Sequence, residues 1–163
     1  MKERQRGRME EGSTRRLLMR LLHGYFAITR GMTLGVRAAC FDDQGRVFLV
    51  RHTYVAGWYL PGGGVERRET VRQALEKELR EEGNLVLTGA PELFHAYFNT
   101  SASKRDHVLL YRARVRQTAP RAPDREIAEC GFFPLDALPE DTTGATRRRL
   151  AELAGESEPD DIW

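Results

Sequence analysis

The stretch from residue 63 to residue 85 reads GGVERRETVRQALEKELREEGNL, and its spacing guides the interpretation of the whole chain. Winding residues 69–82 as a helix at about 100° per residue gathers four apolar side chains on one arc. These side chains are Val71, Ala74, Leu75 and Leu79. The pattern therefore predicts a helix over residues 69–82 that packs this arc against a hydrophobic core.

Three glutamates near the end of this predicted helix do not follow the pattern of a solvated face. With the first apolar position set at 0°, Glu78 falls at roughly 340°, Glu82 at roughly 20° and Glu81 at roughly 280°. Carboxylates at this spacing repel one another, and the helix dipole disfavours negative charge near the carboxyl end. Sequestering unpaired carboxylates is costly, so either arginines or a metal ion must offset their charge.

The glutamate cluster predicts a site for a hard divalent cation. Oxygen ligands on one rigid helix face suit Mg²⁺ or Mn²⁺, and the lack of histidine or cysteine in the cluster argues against zinc. The glycines at 62–64 leave the backbone open to a ligand and lead to a helix N-terminus, which favours anions. A plain strand-to-helix turn is the alternative for these glycines. They do not form a P-loop, since no Gly-Lys-Ser/Thr follows.

Size and composition indicate one small globular domain with short extensions. The chain has 163 residues, of which 40% are hydrophobic and 31% charged, and its net charge of +2 is too small to imply a nucleic-acid partner. Two cysteines are too few for a disulfide framework, which favours a reducing, cytoplasmic setting. The longest apolar run, residues 17–28, is too short for stable membrane insertion and lacks a secretory cleavage site.

The two ends of the chain differ in charge and periodicity. Residues 1–12 are charged without an apolar period, which predicts a disordered basic tail. Residues 13–30 predict a helical extension capped by Ser13 or Thr14. Its apolar stripe would pack on the domain or on a second copy, which leaves a homodimer open, and binding to a membrane surface is the alternative. Residues 154–163 form an acidic tail that we expect to be loose.

Residues 31–153 carry the pattern of an α/β domain. Alternation over 33–41 predicts a strand, 42–45 a turn, and 130–133 an apolar strand. Further strands are predicted at 47–51, 58–60, 94–98 and 107–115. Thr142 or Thr143 caps a last helix through Leu153. Strands before and after a central helix indicate a mixed β-sheet with helices packed on it.

The same stretch closely resembles the Nudix box. That box reads Gly, five residues, Glu, seven residues, then Arg-Glu-apolar-any-Glu-Glu-any-Gly-apolar, and it aligns here with Gly63, Glu69 and residues 77–85. The lead-in at 60–64 and the segment at 126–139 also resemble the family, so the likeness covers roughly residues 33–153. It implies a Nudix fold, a mixed β-sheet sandwiched between helices, with the N-terminal helix as an addition. Lys77 stands where Arg is usual and Asn84 where Gly is usual.

The resemblance implies roles for the matched residues. Glu78, Glu81 and Glu82, with the Gly63 carbonyl, would bind Mg²⁺ or Mn²⁺, whereas Glu69 would support the glycine loop. Water would attack a phosphorus atom of a nucleoside diphosphate linked to another moiety, with metal ions neutralising the phosphate oxygens. The carboxylate that accepts the proton is Glu81, Glu126 or Glu129, of which we favour Glu126. Lys77 keeps the positive charge of the usual arginine and loses its planar fork, which would loosen a glutamate that it orients.

Residues outside the box are weaker candidates for binding a small nucleotide-type substrate. Arg37 or Arg51 could hold phosphate, and Tyr54 or Trp58 could stack on a base. For each of them, structural packing is the alternative. Nucleoside triphosphates, ADP-ribose, sugar nucleotides and dinucleoside polyphosphates all remain open as substrates. The rival function is a non-catalytic Nudix-like module that binds a nucleotide; loss of box glutamates would favour it, and none is lost.

Overall fold

The computed structural model describes residues 19–101 and 103–163, and the chain divides into two units between Met32 and Thr33. In the first unit, residues 19–29 form helix α1, and Arg30 N–H donates to the Phe26 carbonyl at its end. The predicted basic tail and the predicted cap at Ser13 or Thr14 lie outside the described residues. What covers the apolar stripe of the extension stays a prediction. No helix of the described residues is long and apolar enough to cross a membrane.

The second unit is built on a mixed sheet of seven strands within its described residues. They are β1 Thr33–Phe41, β2 Val47–His52, β3 Gly62–Gly64, β4 Leu85–Leu87, β5 Glu92–Phe98, β6 Asp106–Gln117 and β7 Ile127–Phe133. The main order is β4-β6-β1-β2-β7, with β3 paired to β1 and β5 paired to β6. β1 runs parallel to β6, and the other pairings are antiparallel. The predicted mixed sheet is thus confirmed.

Two helices of the second unit begin at threonine caps. Helix α2 spans Val71–Gly83, two residues later than predicted, because Thr70 caps it. Its hydroxyl accepts from Gln73 N–H while the Gln73 side chain accepts from Thr70 N–H, a capping box. Helix α3 spans Gly144–Leu153, and its cap is Thr143 rather than Thr142. A short 3₁₀ turn, Leu135–Ala137, precedes it.

The sheet buries both of its faces, one against each helix. On one face, Ala74, Leu75 and Leu79 of α2 pack with side chains of β1 and β2 such as Val36 and Phe48. This confirms the predicted core-facing arc of α2. On the opposite face, Leu150 of α3 belongs to a second buried cluster that includes Leu49, Trp58 and Tyr97. The layers are therefore α/β/α, as the resemblance implied.

The carboxyl end of α2 keeps its geometry despite the substituted box position. Asn84 adopts the left-handed conformation, with φ 52° and ψ 35°, and its N–H donates to the Arg80 carbonyl. Asparagine tolerates this region better than most residues, so it can stand where the family has glycine. Gly83 is needed for a different reason, because its Cα faces the Phe48 ring closely.

Three segments differ from the sequence-based expectations. The glycines at 62–64 form strand β3 rather than only a loop. The predicted strand at 58–60 is reduced to two isolated bridges, Val50 with Tyr59 and Trp58 with Thr142. The tail is not loose over residues 161–163: Phe98 N–H donates to the Asp161 carbonyl, and Trp163 packs 5.3 Å from the Tyr97 ring. The edge of β5 that faces away from β6 accepts the tail at Phe98, and the packing of the Trp163 ring holds this acidic segment in place.

Gly83→Ala tests the close packing of α2 on β2. An added Cβ would lie 2.7 Å from two carbons of the Phe48 ring, a contact that normal side chains do not make. Overpacking of a core typically costs about 1–3 kcal/mol, so we expect a lower melting temperature by circular dichroism. Gly89→Ala is the matched control, because an added Cβ there meets nothing within 4 Å. Equal melting temperatures for the two variants would contradict the packing.

Candidate functional site

Helix α2 turns two of its three box glutamates towards the protein interior. Glu82 is buried, with 8% of its surface exposed, and the Glu78 side chain is 17% exposed. Glu81 lies on the outside, with 58% of its side chain exposed. The helical positions predicted for Glu78 and Glu82 along the apolar arc, and for Glu81 beside it, therefore agree with their burial.

Glu82 is held at the base of the site by the glycine strand. The Gly62 N–H donates to its Oε2 at 2.8 Å, and His52 Nε2 lies 3.8 Å from its Oε1. Burial raises the pKa of Glu82 to about 7, and the charges of Glu78 and Glu126 act in the same direction. The Arg37 guanidinium and the Gly62 N–H oppose that rise without cancelling it. This carboxylate therefore stands in an environment that needs additional positive charge.

Glu78 lies directly against the backbone of Gly63. A Cβ added to Gly63 would fall 2.6 Å from the Glu78 carboxyl carbon, so only glycine leaves room for this carboxylate. Lys77 Nζ lies 3.5 Å from Glu78 Oε1 and 3.7 Å from Glu69 Oε1. Burial raises the pKa of Glu78 although Lys77 lowers it. Lys77 thus bridges two box glutamates with a single ammonium group.

Glu69 holds the loop that leads into α2. Its Oε1 accepts from the Glu66 N–H at 2.5 Å, ahead of the Thr70 cap. The supporting role that we expected for Glu69 fits this contact. Glu69 precedes the helix, although the sequence predicted a helix that includes it, so its direction is set by this loop contact.

The carboxylates of Glu78, Glu81 and Glu82 are the kind of ligand that a divalent cation prefers, although the three side chains do not converge on one point in this structure. Among residues 19–101 and 103–163, no three His, Cys, Asp or Glu side chains lie close enough to hold a metal ion as they stand. Glu81 faces solvent, 3.9 Å from Arg80, while Lys77 occupies Glu78. The buried Glu82 and half-buried Glu78 nevertheless present hard oxygen ligands whose charges are only partly offset, which fits Mg²⁺ or Mn²⁺.

Arg37 is the substrate-binding candidate that the structure places beside the glutamates. It is half-buried, and its Nη1 donates to the Leu60 carbonyl at 2.9 Å. Arg37 pairs with Gly62 across β1 and β3, and the Gly62 N–H donates to Glu82. The charge of Arg37 lowers the pKa of both Glu78 and Glu82. Such a group, fixed by one backbone bond, retains further donors for a phosphate.

Arg51 and Trp58 are engaged elsewhere. Arg51 Nη2 pairs with Glu129 Oε2 at 3.0 Å, and its guanidinium lies 5.7 Å from the centre of the Trp58 ring. Trp58 is 7% exposed and packs edge-on against Phe133 in the core. The burial of Trp58 favours the packing alternative over base stacking. The ion pair with Arg51 also makes Glu129 a weaker candidate for the base than Glu126.

Tyr54 and His52 form an aromatic rim next to Glu82. Tyr54 is 72% exposed, and its ring lies 5.1 Å from that of His52. A cavity of about 430 Å³ opens here, and its lining includes Arg51 and Asp141. Neither this cavity nor a larger one of about 620 Å³, lined by side chains of β1, β6 and α3, has a box glutamate in its lining. The exposed ring of Tyr54 is therefore better placed than Trp58 to meet a planar ligand.

Glu126 lies at the edge of the same site. Its side chain is exposed, and its charge acts on Glu82, His52 and Tyr54. Sequence reasoning found Glu126 only through the family resemblance. It missed the hydrogen bond from Gly62 and the loop contacts of Arg121, because no local spacing signals a contact between distant segments.

The comparisons place this geometry in a known family. A family model described as the NUDIX domain matches residues 31–153, and the chain belongs to that family. The structure resembles a MutT NUDIX hydrolase from Burkholderia pseudomallei, with 28% identity, a TM-score of 0.63, and coverage of 74% of this chain and 97% of that one. It also resembles an ADP-ribose pyrophosphatase from Streptococcus suis, with 26% identity, a TM-score of 0.54, and coverage of 78% and 94%.

A curated relative is the human 8-oxo-dGDP phosphatase NUDT18, 29% identical over 126 residues, which are 74% of this chain. The chain spans 38% of the length of that protein. The match therefore concerns one part of a longer relative.

Glu82→Gln tests whether the buried charge opposes folding when metal is removed. The amide oxygen of glutamine can still accept from Gly62 N–H, whereas the charge is lost. With a chelator at mildly alkaline pH, we expect the variant to melt at the wild-type temperature or higher. Glu76→Gln is the control, because Glu76 pairs with Arg72 on the exposed side and such pairs contribute only about 0–1 kcal/mol. If Glu82→Gln melts well below both the wild type and Glu76→Gln, the carboxylate stabilises the metal-free fold, contrary to this prediction.

Proposed function

We propose that this chain is a hydrolase dependent on Mg²⁺ or Mn²⁺ that cleaves the diphosphate linkage of a nucleotide-type small molecule. The observation that carries the proposal is the burial of Glu78 and Glu82 on the core-facing side of α2, against the glycine strand. An acidic helix that served only as a solvated surface would not turn these side chains inwards. The complete set of box glutamates also favours a catalyst over a non-catalytic nucleotide-binding module.

Glu78, Glu81 and Glu82, together with the carbonyl of Gly63, would hold the metal. A bound Mg²⁺ would neutralise charge on the phosphate oxygens and favour ionisation of the attacking water. Glu81 has to turn in from solvent to take part, which its exposed position allows. The Lys77 ammonium would have to move partly away from Glu78. It contacts only the Oε1 atom of Glu78, at 3.5 Å, so this contact is easily broken.

The remaining residues act on the substrate and on the proton. Arg37 would hold a phosphate oxygen beside the carboxylates, and Glu126 would accept the proton of the water that attacks phosphorus. The new phosphorus–oxygen bond forms as the bond from phosphorus to the bridging oxygen breaks, which leaves two phosphate-bearing products. Arg51 borders the cavity next to His52 and would contact the distal part of the substrate.

The proposed substrate class is a nucleoside diphosphate linked to a further group, such as a phosphate or a sugar. Similar proteins are named for 8-oxo-dGDP, a nucleoside diphosphate, and for ADP-ribose, in which a nucleoside diphosphate is linked to a further sugar. Tyr54, which is exposed next to the cavity, would stack on the base or sugar end.

A hydrolysis screen with two charge-removing variants tests the activity. Wild-type protein is incubated with nucleoside triphosphates, ADP-ribose and sugar nucleotides in Mg²⁺, and the released phosphate or pyrophosphate is measured. On a substrate found in this way, Glu81→Gln and Glu82→Gln should each lower turnover by about 10² to 10⁴, the range typical of a lost catalytic carboxylate. Glu76→Gln should retain wild-type turnover. Unchanged turnover in both Glu81→Gln and Glu82→Gln would place the chemistry elsewhere, and nucleotide binding without any hydrolysis would support the non-catalytic module.

A pair of adjacent glycine variants tests the metal site without relying on turnover. In Gly63→Ala the added Cβ displaces the Glu78 carboxylate, whereas in Gly64→Ala it meets nothing within 4 Å. Because Glu78 is the far end of a flexible side chain, both proteins should fold and melt alike. We expect the Mn²⁺ affinity measured by calorimetry to fall about tenfold or more, equivalent to about 1.4 kcal/mol, in Gly63→Ala only. Equal Mn²⁺ affinities of the two variants would remove Glu78 from the ligand set.

A further inference from the structure

The loop that carries Glu126 is fastened to the carboxyl end of α2. Thr118 donates to the Asn84 carbonyl through both its N–H, at 2.9 Å, and its hydroxyl, at 3.0 Å. In return, the Asn84 side-chain amide donates to the Pro120 carbonyl at 3.2 Å. The residue that ends the box helix thus also fixes the first part of the loop between β6 and β7.

Arg121 extends this connection through its side chain. Its Nε donates to the Glu81 carbonyl at 2.8 Å, and its Nη1 donates to the carbonyl of Ala122. Its Nη2 pairs with the Asp124 carboxylate. The last carbonyls of a helix lack partners within the helix, so this arginine satisfies one of them while it holds the loop. Only 17% of its side chain is exposed.

Asp124 links Arg121 to the backbone of Glu126 through hydrogen bonds. Its Oδ1 accepts from the N–H groups of Glu126 and Ile127, both at 2.8 Å. Hydrogen bonds from the Ile127 N–H and from Arg121 hold the pKa of Asp124 well below its usual range. The same hydrogen bonds therefore favour the charged form of this carboxylate.

The other side of Glu126 is held by the residue that follows β2. Thr53 N–H donates to the Glu126 carbonyl at 2.9 Å, and the Thr53 hydroxyl donates to the Arg125 carbonyl at 2.5 Å. Both backbone groups of Glu126 are therefore engaged, while its side chain is exposed. The next residue, Ile127, pairs with His52 at the end of β2, which places Glu126 at this edge of the site. A short chain of contacts runs from Glu81 through Arg121 and Asp124 to Glu126.

We propose that Arg121 and Asp124 are positioning residues that fix Glu126 relative to the glutamates of α2. This inference rests on the proposed function, in which α2 holds the metal and Glu126 accepts the proton. Reacting groups held in place before the substrate arrives lower the barrier, and a displacement of about 1 Å can cost about 10²-fold in rate. Arg121 contacts the helix at Glu81 itself, so the ligand-bearing segment and the proton acceptor move as one unit.

A second aspartate–arginine pair in the chain provides a matched control. In the turn between β1 and β2, Asp42 Oδ1 accepts from the N–H groups of Gln44 and Arg46, at 3.0 and 2.9 Å. Its Oδ2 accepts from Arg46 Nε at 2.8 Å. The motif is the same as that of Asp124, but it holds no residue of the candidate site. Each pair has one partly exposed member, Asp124 at 46% and Arg46 at 40%. Ion pairs at the surface contribute only about 0–1 kcal/mol to stability, so we expect the variants of both pairs to fold.

The experiment compares kcat and KM of five proteins on a substrate of the wild type. They are Arg121→Ala, Asp124→Ala, Glu126→Gln, the double variant Arg121→Ala/Glu126→Gln, and the control Arg46→Ala. We expect Glu126→Gln to lower kcat by about 10² to 10⁴. Arg121→Ala and Asp124→Ala should each lower kcat by about tenfold to a hundredfold with little change in KM. The double variant should be no slower than Glu126→Gln alone, and Arg46→Ala should keep the wild-type kcat.

Amide hydrogen exchange gives a readout that does not depend on activity. Exchange of the Glu126 and Ile127 amides should accelerate in Arg121→Ala and not in Arg46→Ala. Unchanged exchange rates of these amides in Arg121→Ala would overturn the positioning role. It would also be overturned if the kcat of the double variant fell below that of Glu126→Gln by the same factor by which Arg121→Ala lowers the wild-type kcat. A normal kcat in Glu126→Gln would also overturn it and leave the proposed hydrolase intact. A wild type without any hydrolysis would instead overturn the proposed function, and the positioning role with it.

Discussion

Two like-charged carboxylates on the core-facing side of one helix are the constraint to which the rest of the site is adapted. Glu82 is buried, and the charge of Glu78 one turn earlier on the helix raises the cost of ionising it. The fold limits that cost with few groups: one backbone N–H from Gly62, the charge of Arg37 and the ammonium of Lys77. Gly62, Arg37 and Lys77 belong to three different segments, β3, β1 and α2. The pairing of the three-residue glycine strand with β1 brings the first two of these groups together.

The parts of the site that follow from local periodicity were predicted well. The winding of residues 69–82 placed Glu78 and Glu82 on the buried side and Glu81 at its border, since helical geometry depends on a few neighbouring residues. The same reasoning was less successful at the helix start. Thr70 takes the capping position, so Glu69 lies outside the helix, and its direction depends on the loop rather than on the helical period.

The parts that depend on tertiary contacts were not predicted from the residues alone. Trp58 and Tyr54 are close in sequence and equally suited to stacking, yet only packing against Phe133 decides that Trp58 is buried. Arg121 is in an irregular loop, where no period indicates that it reaches the Glu81 carbonyl. The tail carries a block of acidic residues that is typical of disorder, but its last residues pair with β5.

The parallel pairing of β1 with β6 has a consequence for the order in which the domain assembles. Thr33 pairs with Asp106, so the central strand of the sheet joins a partner 73 residues further along the chain. Pairings of such large sequence separation require closure of a long loop before they contribute stability, which slows folding. Helix α2 lies within that loop and can form early. The surface that buries its glutamates, however, is complete only when β1 is in place. During folding, the carboxylates of Glu78 and Glu82 can therefore keep their hydration while α2 forms and lose it only when the sheet covers them.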